Sequence, residues 1–325
     1  MYRGVMSLHN PTVAFTTPPN YAARLSNLLS LSAYTPLWCP TLLIQPLPST
    51  LAPFLSPHSL HRFSAIAFTS RTAIQAFLQA ATSLSHPPLP PEGSTFTLAA
   101  LGKDADLIDA QFLSAFCSNS NRLCVLVPPT ATPSALAAAL GDGCGRGVLC
   151  PVPRVIGVNE PPVVPGFLEE LRRGRWVPVR VEAYETRWAG PGCAEGIVRA
   201  SEEGGLDAVV FTSTAEVEGL LQSLKDFGLG FADLRRRCPR LVVAAHGPVT
   251  AAGAQRLGVE VDVDCTKPRP LWIMFLLIIG VVKSFTVRTC QVFSLSHQRF
   301  FKAYLVFMMK QKSEAFEKFK HWTLN

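Results

Sequence analysis

Ala65-Ile-Ala-Phe-Thr-Ser70 and, 143 residues later, Ala208-Val-Val-Phe-Thr-Ser213 decide the fold of this chain. Each is a short apolar run that ends in two hydroxyl residues and leads into a helix-like stretch. A run of this length reads as a buried strand, and a serine at its end is a preferred helix N-cap. The same order of strand, turn and helix recurs at Val13-Ala-Phe-Thr-Thr-Pro18, Val125-Leu-Val-Pro128 and Leu241-Val-Val-Ala-Ala-His-Gly247. Strands that are apolar throughout, alternating with helices, call for parallel sheets covered on both faces. The expected class is α/β.

The two quoted modules share more than their pattern. Ala65/Ala208, Phe68/Phe211, Thr69/Thr212, Ser70/Ser213, Leu78/Leu221 and Gln79/Gln222 are identical pairs at one offset. Two similar halves explain this, and so does convergence on the same cap chemistry at any strand-to-helix turn. At 325 residues the chain exceeds a usual single domain of about 100–200 residues, so two domains are expected. Pro46–Pro57, Ser85–Pro91 and Gly141–Gly147 read as loops. Thr35–Pro46 and Trp176–Thr186 read as extended segments that cross between domains.

The formal charge of +7 raises the question of a polyanionic partner. It resides in the last residues: 265–325 hold ten Lys or Arg against Glu314 and Glu317, which leaves the first 264 residues at −1. Nucleic-acid binding is therefore not expected. The same segment carries eight of the 20 Phe and the apolar run Trp272–Val282, closed by Lys283. That run falls short of the roughly 18–20 residues of a membrane span. Membrane contact is expected only if 271–282 inserts, and a buried helix is the other reading. The abrupt change of composition marks 265–325 as foreign to the α/β pattern, as an alternative splice product or an error in the gene's exon assignment would supply.

Nine cysteines, with no CxxC pair and no histidine at zinc-ligand spacing, point to a reducing compartment and to no metal. Met1–Asn10 has no apolar core of a secretory signal and is too short for a transit peptide. Catalytic signatures such as GxSxG, HExxH, a P-loop or a strand-borne GxGxxG do not occur, so no cofactor is expected.

What remains are helix N-termini at strand ends: Thr16-Thr17-Pro18, Thr69-Ser70-Arg71, Thr212-Ser213-Thr214 and Gly247-Pro-Val-Thr250. Open parallel sheets bring such turns to one edge, where unpaired N–H groups and helix dipoles favour carboxylates or phosphates. Taken singly, each Ser or Thr is also an ordinary cap. Arg71 and Lys103 are candidate anion ligands with solvated surface residues as the alternative. His246 reads as a structural imidazole, and Arg235–Arg237 as a solvated helix end. Tyr184 is either a buried strand aromatic or a phenol able to give up a proton.

Phe68-Thr-Ser-Arg71, Tyr184-Glu-Thr186, Phe211-Thr-Ser213 and Gly247-Pro-Val-Thr-Ala251 stand in an order that resembles the uroporphyrinogen-III synthases. Trp38-Cys-Pro-Thr41, Ala183–Pro191 and Ala244–Gly253 resemble the plant branch of that family. The resemblance covers about 11–264. It implies two Rossmann-like parallel-sheet domains joined by a two-stranded antiparallel connection. One domain would comprise 11–36 with 186–264, the other 46–175, with 37–45 and 176–185 connecting them and 265–325 outside the family pattern.

The implied reaction closes hydroxymethylbilane to uroporphyrinogen III, inverting the last pyrrole and losing water, without a cofactor. Tyr184 is then the expected catalytic residue. Thr16, Thr17, Ser70, Arg71, Lys103, Thr212, Ser213, Thr214, Gly247 and Thr250 form the expected substrate-binding set. A monomer in the chloroplast is implied as well. Two departures from the family pattern stand out. Val249 replaces a threonine common after Gly-Pro, and the tail stands where a final amphipathic helix is expected.

Overall fold

Residues 10–264 are described by a computed structural model of the chain. The tail and its apolar stretch 271–282 lie outside the described residues, among which no helix is long and apolar enough to cross a membrane. The order is β1 (Thr12–Phe15), α1 (Pro19–Leu31), β2 (Thr35–Trp38), β3 (Leu42–Pro46), α2 (Pro48–Leu51), α3 (Pro57–Leu60), β4 (Phe63–Phe68) and α4 (Arg71–Thr82). Next come β5 (Phe96–Ala100), α5 (Ala110–Phe116), β6 (Leu123–Leu126), α6 (Pro133–Leu140), β7 (Gly147–Ile156), α7 (Val163–Arg173) and β8 (Val177–Trp188). The last elements are α8 (Glu195–Glu202), β9 (Leu206–Phe211), α9 (Thr214–Asp226), α10 (Phe231–Arg237), β10 (Val242–Ala245), α11 (Pro248–Arg256) and β11 (Val263–Asp264).

Two sheets result. One has the order β11-β10-β9-β1-β2 and is parallel throughout; the other has the order β3-β8-β7-β4-β5-β6 and is parallel except for β3. The two quoted modules occupy matching places, β4 between β5 and β7, and β9 between β1 and β10. Period-2 packing is visible in both. Ile66 and Phe68 enter one core while Ala65 and Ala67 enter the other; Val209 and Phe211 part from Ala208 and Val210 in the same way. Each sheet thus has a core on both faces, as strands without polar alternation require. Around Phe77, the rings of Phe68, Phe112 and Phe116 lie 5.4–5.7 Å away, centroid to centroid.

Thr35–Pro46 is divided rather than continuous. Its first part, β2, closes the edge of the five-stranded sheet, and its last part, β3, runs antiparallel to the end of β8, Leu42 opposite Trp188 and Pro46 opposite Tyr184. The chain therefore crosses on a two-stranded antiparallel ribbon. Pro46–Pro57, expected as a loop, forms α2, a 3₁₀ turn at Ala52–Phe54 and the start of α3. Pro48 and Pro53 stand in first helical turns, where the missing N–H is no loss.

The seven cysteines among the described residues are unpaired. Burial pushes the Cys39 thiol up to about 11 and Cys150 up to about 12, so neither offers a thiolate nucleophile at neutral pH.

Candidate active site

The carboxyl ends of both sheets open on one cleft of about 850 Å³. The five-stranded sheet contributes the turns β1–α1, β9–α9 and β10–α11; the six-stranded sheet contributes β4–α4, the turn after β5 and the run after β7. Of the expected set, Thr17, Ser70, Arg71, Lys103, Tyr184, Thr212, Ser213, Thr214 and Thr250 line it.

Two expected contacts fall elsewhere. Thr16 is fully buried, and its hydroxyl donates to Glu216 at 2.8 Å, so it supports the rim from behind. Gly247 is not in the lining; it holds φ 90°, a backbone region open to glycine, and thereby aims α11 at the cleft.

Ser70 and Ser213 take the same extended backbone and cap α4 and α9, accepting from Ala73 N at 3.2 Å and Glu216 N at 3.4 Å. Beyond those caps, the first N–H groups of each helix have no partner within the helix and point outward. The Arg71 Nε lies 3.3 Å from Asp104, an ion pair between the β4–α4 and post-β5 turns. The Thr17 hydroxyl is buried in the cleft lining and finds no hydrogen-bond partner among the described residues. Facing these polar turns is an apolar wall that includes Val152, Val155, Val164 and Phe167.

Tyr184 owes its place to an irregularity. In the β7–β8 pairing, Val152 faces Glu182 but Pro153 faces Tyr184, so Ala183 is the extra residue of a bulge. Pro153 and Pro46 flank Tyr184 and neither carries an N–H. Ala183 and Tyr184 are both buried in the same core, against the alternation of an ordinary strand. Burial pushes the phenol up; hydrogen bonding with Ser70 opposes the shift, and the nearby Tyr21 adds to it. The next residue, Glu185, is held from both sides by Arg154 at 2.7 Å and Arg187 at 2.6 Å. The Arg154 hydrogen bond is the chief reason its carboxyl stays below the usual range.

Glu216 was not anticipated from sequence. Its side chain, 1% exposed, accepts from Thr16, from the Thr212 N–H at 2.9 Å, from the Thr212 hydroxyl and from Ser213 at 3.3 Å. Burial pushes this carboxyl up and those donors oppose the shift. The Ser213-Thr-Ala-Glu216 spacing is the capping-box signature that would have singled it out. Tyr21 and Asp104 also line the cleft and carried no local signal.

Residues 23–270 match the family model described as uroporphyrinogen-III synthase HemD, well over half of the 325 residues. The chain belongs to the uroporphyrinogen-III synthase family. It is a cyclising hydro-lyase of tetrapyrrole synthesis, closing hydroxymethylbilane to uroporphyrinogen III with inversion of ring D and loss of water. The fold is similar to that of a mutant uroporphyrinogen III synthase from Thermus thermophilus, at 18% identity and TM-score 0.56 over 84% of this chain and 99% of that one. The wild-type enzyme of the same bacterium in another crystal form gives 18% identity, TM-score 0.41, and coverage of 86% and 100%. No curated protein gives a significant match.

Proposed function

We propose that Tyr184 is the proton donor of this uroporphyrinogen-III synthase, that capped turns of both sheets hold the substrate's carboxylates, and that the chain is a monomeric chloroplast enzyme of the plant branch. The observation that carries the catalytic part is the buried Tyr184 hydroxyl, set beside Ser70 in a cleft otherwise lined by anion-friendly turns and an apolar wall. The substrate has both kinds of surface, eight carboxylates around four pyrrole rings.

Tyr184 gives its proton to the leaving hydroxyl, which departs as water and leaves a resonance-stabilised cation on the terminal pyrrole. The electron pair of ring D forms a carbon–carbon bond to that cation, giving a spiro intermediate. Breaking the bond to the neighbouring methylene and closing again at the other α-carbon inverts the ring. The proton lost as the pyrrole regains aromaticity restores the phenol. Carboxylates fixed by Arg71, Lys103, Thr17 and the N-termini of α4 and α9 keep the chain curled and disfavour direct closure.

Purified protein incubated with freshly generated hydroxymethylbilane should yield mainly isomer III, read by chromatography after oxidation. Isomer I alone, as forms without enzyme, would overturn the reading. The compartment rests on the likeness of Ala183–Pro191 and Ala244–Gly253 to the plant branch. Recovery of the protein with cytosol rather than plastids on leaf fractionation would remove it.

A further inference from the structure

The two similar turns are not used alike. In the β4–α4 turn the residue three past the serine cap is Ala73, which has no carboxylate to take the Ser70 hydroxyl hydrogen, and Ser70 lines the cleft with Tyr184. In the β9–α9 turn the corresponding residue is Glu216, almost wholly buried. Its Oε2 receives the Thr16 hydroxyl and the Thr212 N–H; its Oε1 receives the hydroxyls of Thr212 and Ser213. Two donors per oxygen saturate a carboxylate.

A hydroxyl has one hydrogen. While Thr212 and Ser213 give theirs to Glu216, neither has one for a substrate carboxylate. The N–H groups of the first turn of α9 are in a different position, since Ser213 takes up only that of Glu216 and the helix itself supplies no acceptor. Glu216 also ties the rim together. Its own carbonyl accepts from the buried Thr41 at 3.0 Å, between β2 and β3, and the Thr212 carbonyl accepts from Thr250 at 3.2 Å.

We propose that Glu216 is a positioning residue for substrate binding: by drawing in the hydroxyl hydrogens of Thr16, Thr212 and Ser213, it leaves the main-chain N–H groups of α9 as the donors that meet a substrate carboxylate. The turn at Ser70 then serves the reacting end, beside Tyr184, and the turn at Ser213 serves as an anchor. This rests on the tetrapyrrole reading of the cleft.

Glu216→Gln keeps the size of the side chain but replaces one acceptor by a donor, so at least one of the donors now held by the carboxylate loses its acceptor and the rim hydroxyls and N–H groups rearrange. Expected are a KM for hydroxymethylbilane raised about tenfold, a kcat within about threefold and an unchanged proportion of isomer III. Uroporphyrin III, an octacarboxylate that does not react, should lose affinity by a similar factor in a fluorescence titration. Pairing Glu216→Gln with Ser213→Ala should give less than the product of the separate KM effects, since both act through one network. An unchanged KM and uroporphyrin affinity, or a loss of kcat and folded protein with KM constant, would overturn the proposal. Wild-type protein in the same assay separates the two readings. Isomer I alone from wild type counts against the enzyme reading, and the uroporphyrin titration still decides the role of Glu216.

Discussion

Tyr184 shows how a single side chain acquires a role from its surroundings. A phenol in water is a poor acid near neutral pH, and burial makes the Tyr184 phenolate costlier still. The proton therefore stays on oxygen until a departing hydroxide and a developing cation appear beside it, when the phenolate gains a partner of opposite charge. Because the shift is upward, no loss of activity from ionisation of Tyr184 should occur below its ordinary range near pH 10. Tyr184→Phe should lower kcat by about 10²-fold or more while KM stays within a few-fold, the signature of a group used in the transition state. Steady-state kinetics with unchanged kcat would remove Tyr184 from the mechanism. From sequence, the residue could be named only through its family resemblance. The bulge that re-aims it depends on Pro153, and the pairing of β7 with β8 is not written locally. Glu216 was hidden for a related reason: its spacing from Ser213 was visible, but its burial comes from Thr16, 200 residues away.

At the scale of elements, the strand-turn-helix modules were legible because each turn declares itself by a serine cap after an apolar run. Both modules have strands and helix starts at matching positions, β4 at Phe63–Phe68 with α4 from Arg71 and β9 at Leu206–Phe211 with α9 from Thr214, and their helices end within one residue of the same offset. Less legible was β7, whose run is interrupted by Pro151 and Pro153. Those prolines are tolerated because β4 pairs with β7 only as far as Leu149, so the rest of β7 has a neighbour on one side alone. Helix contacts were beyond sequence altogether. Gly253, in α11, has no unusual backbone, and an isolated helix would gain about 1 kcal/mol from alanine there. In this fold an added Cβ would lie 2.6 Å from Cγ2 and 2.8 Å from Cβ of Thr214, the first residue of α9. The two helices would have to separate. Gly253→Ala should cost about 1–3 kcal/mol, as overpacking does, and should raise KM by moving Thr214 at the rim. A thermal midpoint equal to or above wild type would show that α11 is not packed this closely.

For the molecule as a whole, the ribbon of β3 and β8 lets the two sheets approach across the cleft, and one contact spans the opening. The main-chain N–H of Asn159, after β7, lies 3.1 and 3.2 Å from the Glu218 carboxylate on α9, and its side-chain amide donates to the same group at 2.6 Å. Asn159 is exposed, so water screens the contact, and it contributes little to folding. Its effect falls instead on the balance between open and closed cleft. A hydrogen bond to a charged group that water screens is worth up to about 1 kcal/mol, enough to change the ratio of closed to open forms about fivefold. Apparent affinity scales with the fraction of molecules able to bind, so Glu218→Ala should raise KM up to about threefold where open and closed forms are near balance. The thermal midpoint should shift by no more than about 2 °C, since neither core is touched. Small-angle scattering of the free protein should show a larger radius of gyration for the variant, and saturating substrate should restore kcat. A KM equal to wild type, with no change in scattering, would mean that closure is set by the substrate's carboxylates alone and that the bridge between Asn159 and Glu218 is a passive neighbour contact.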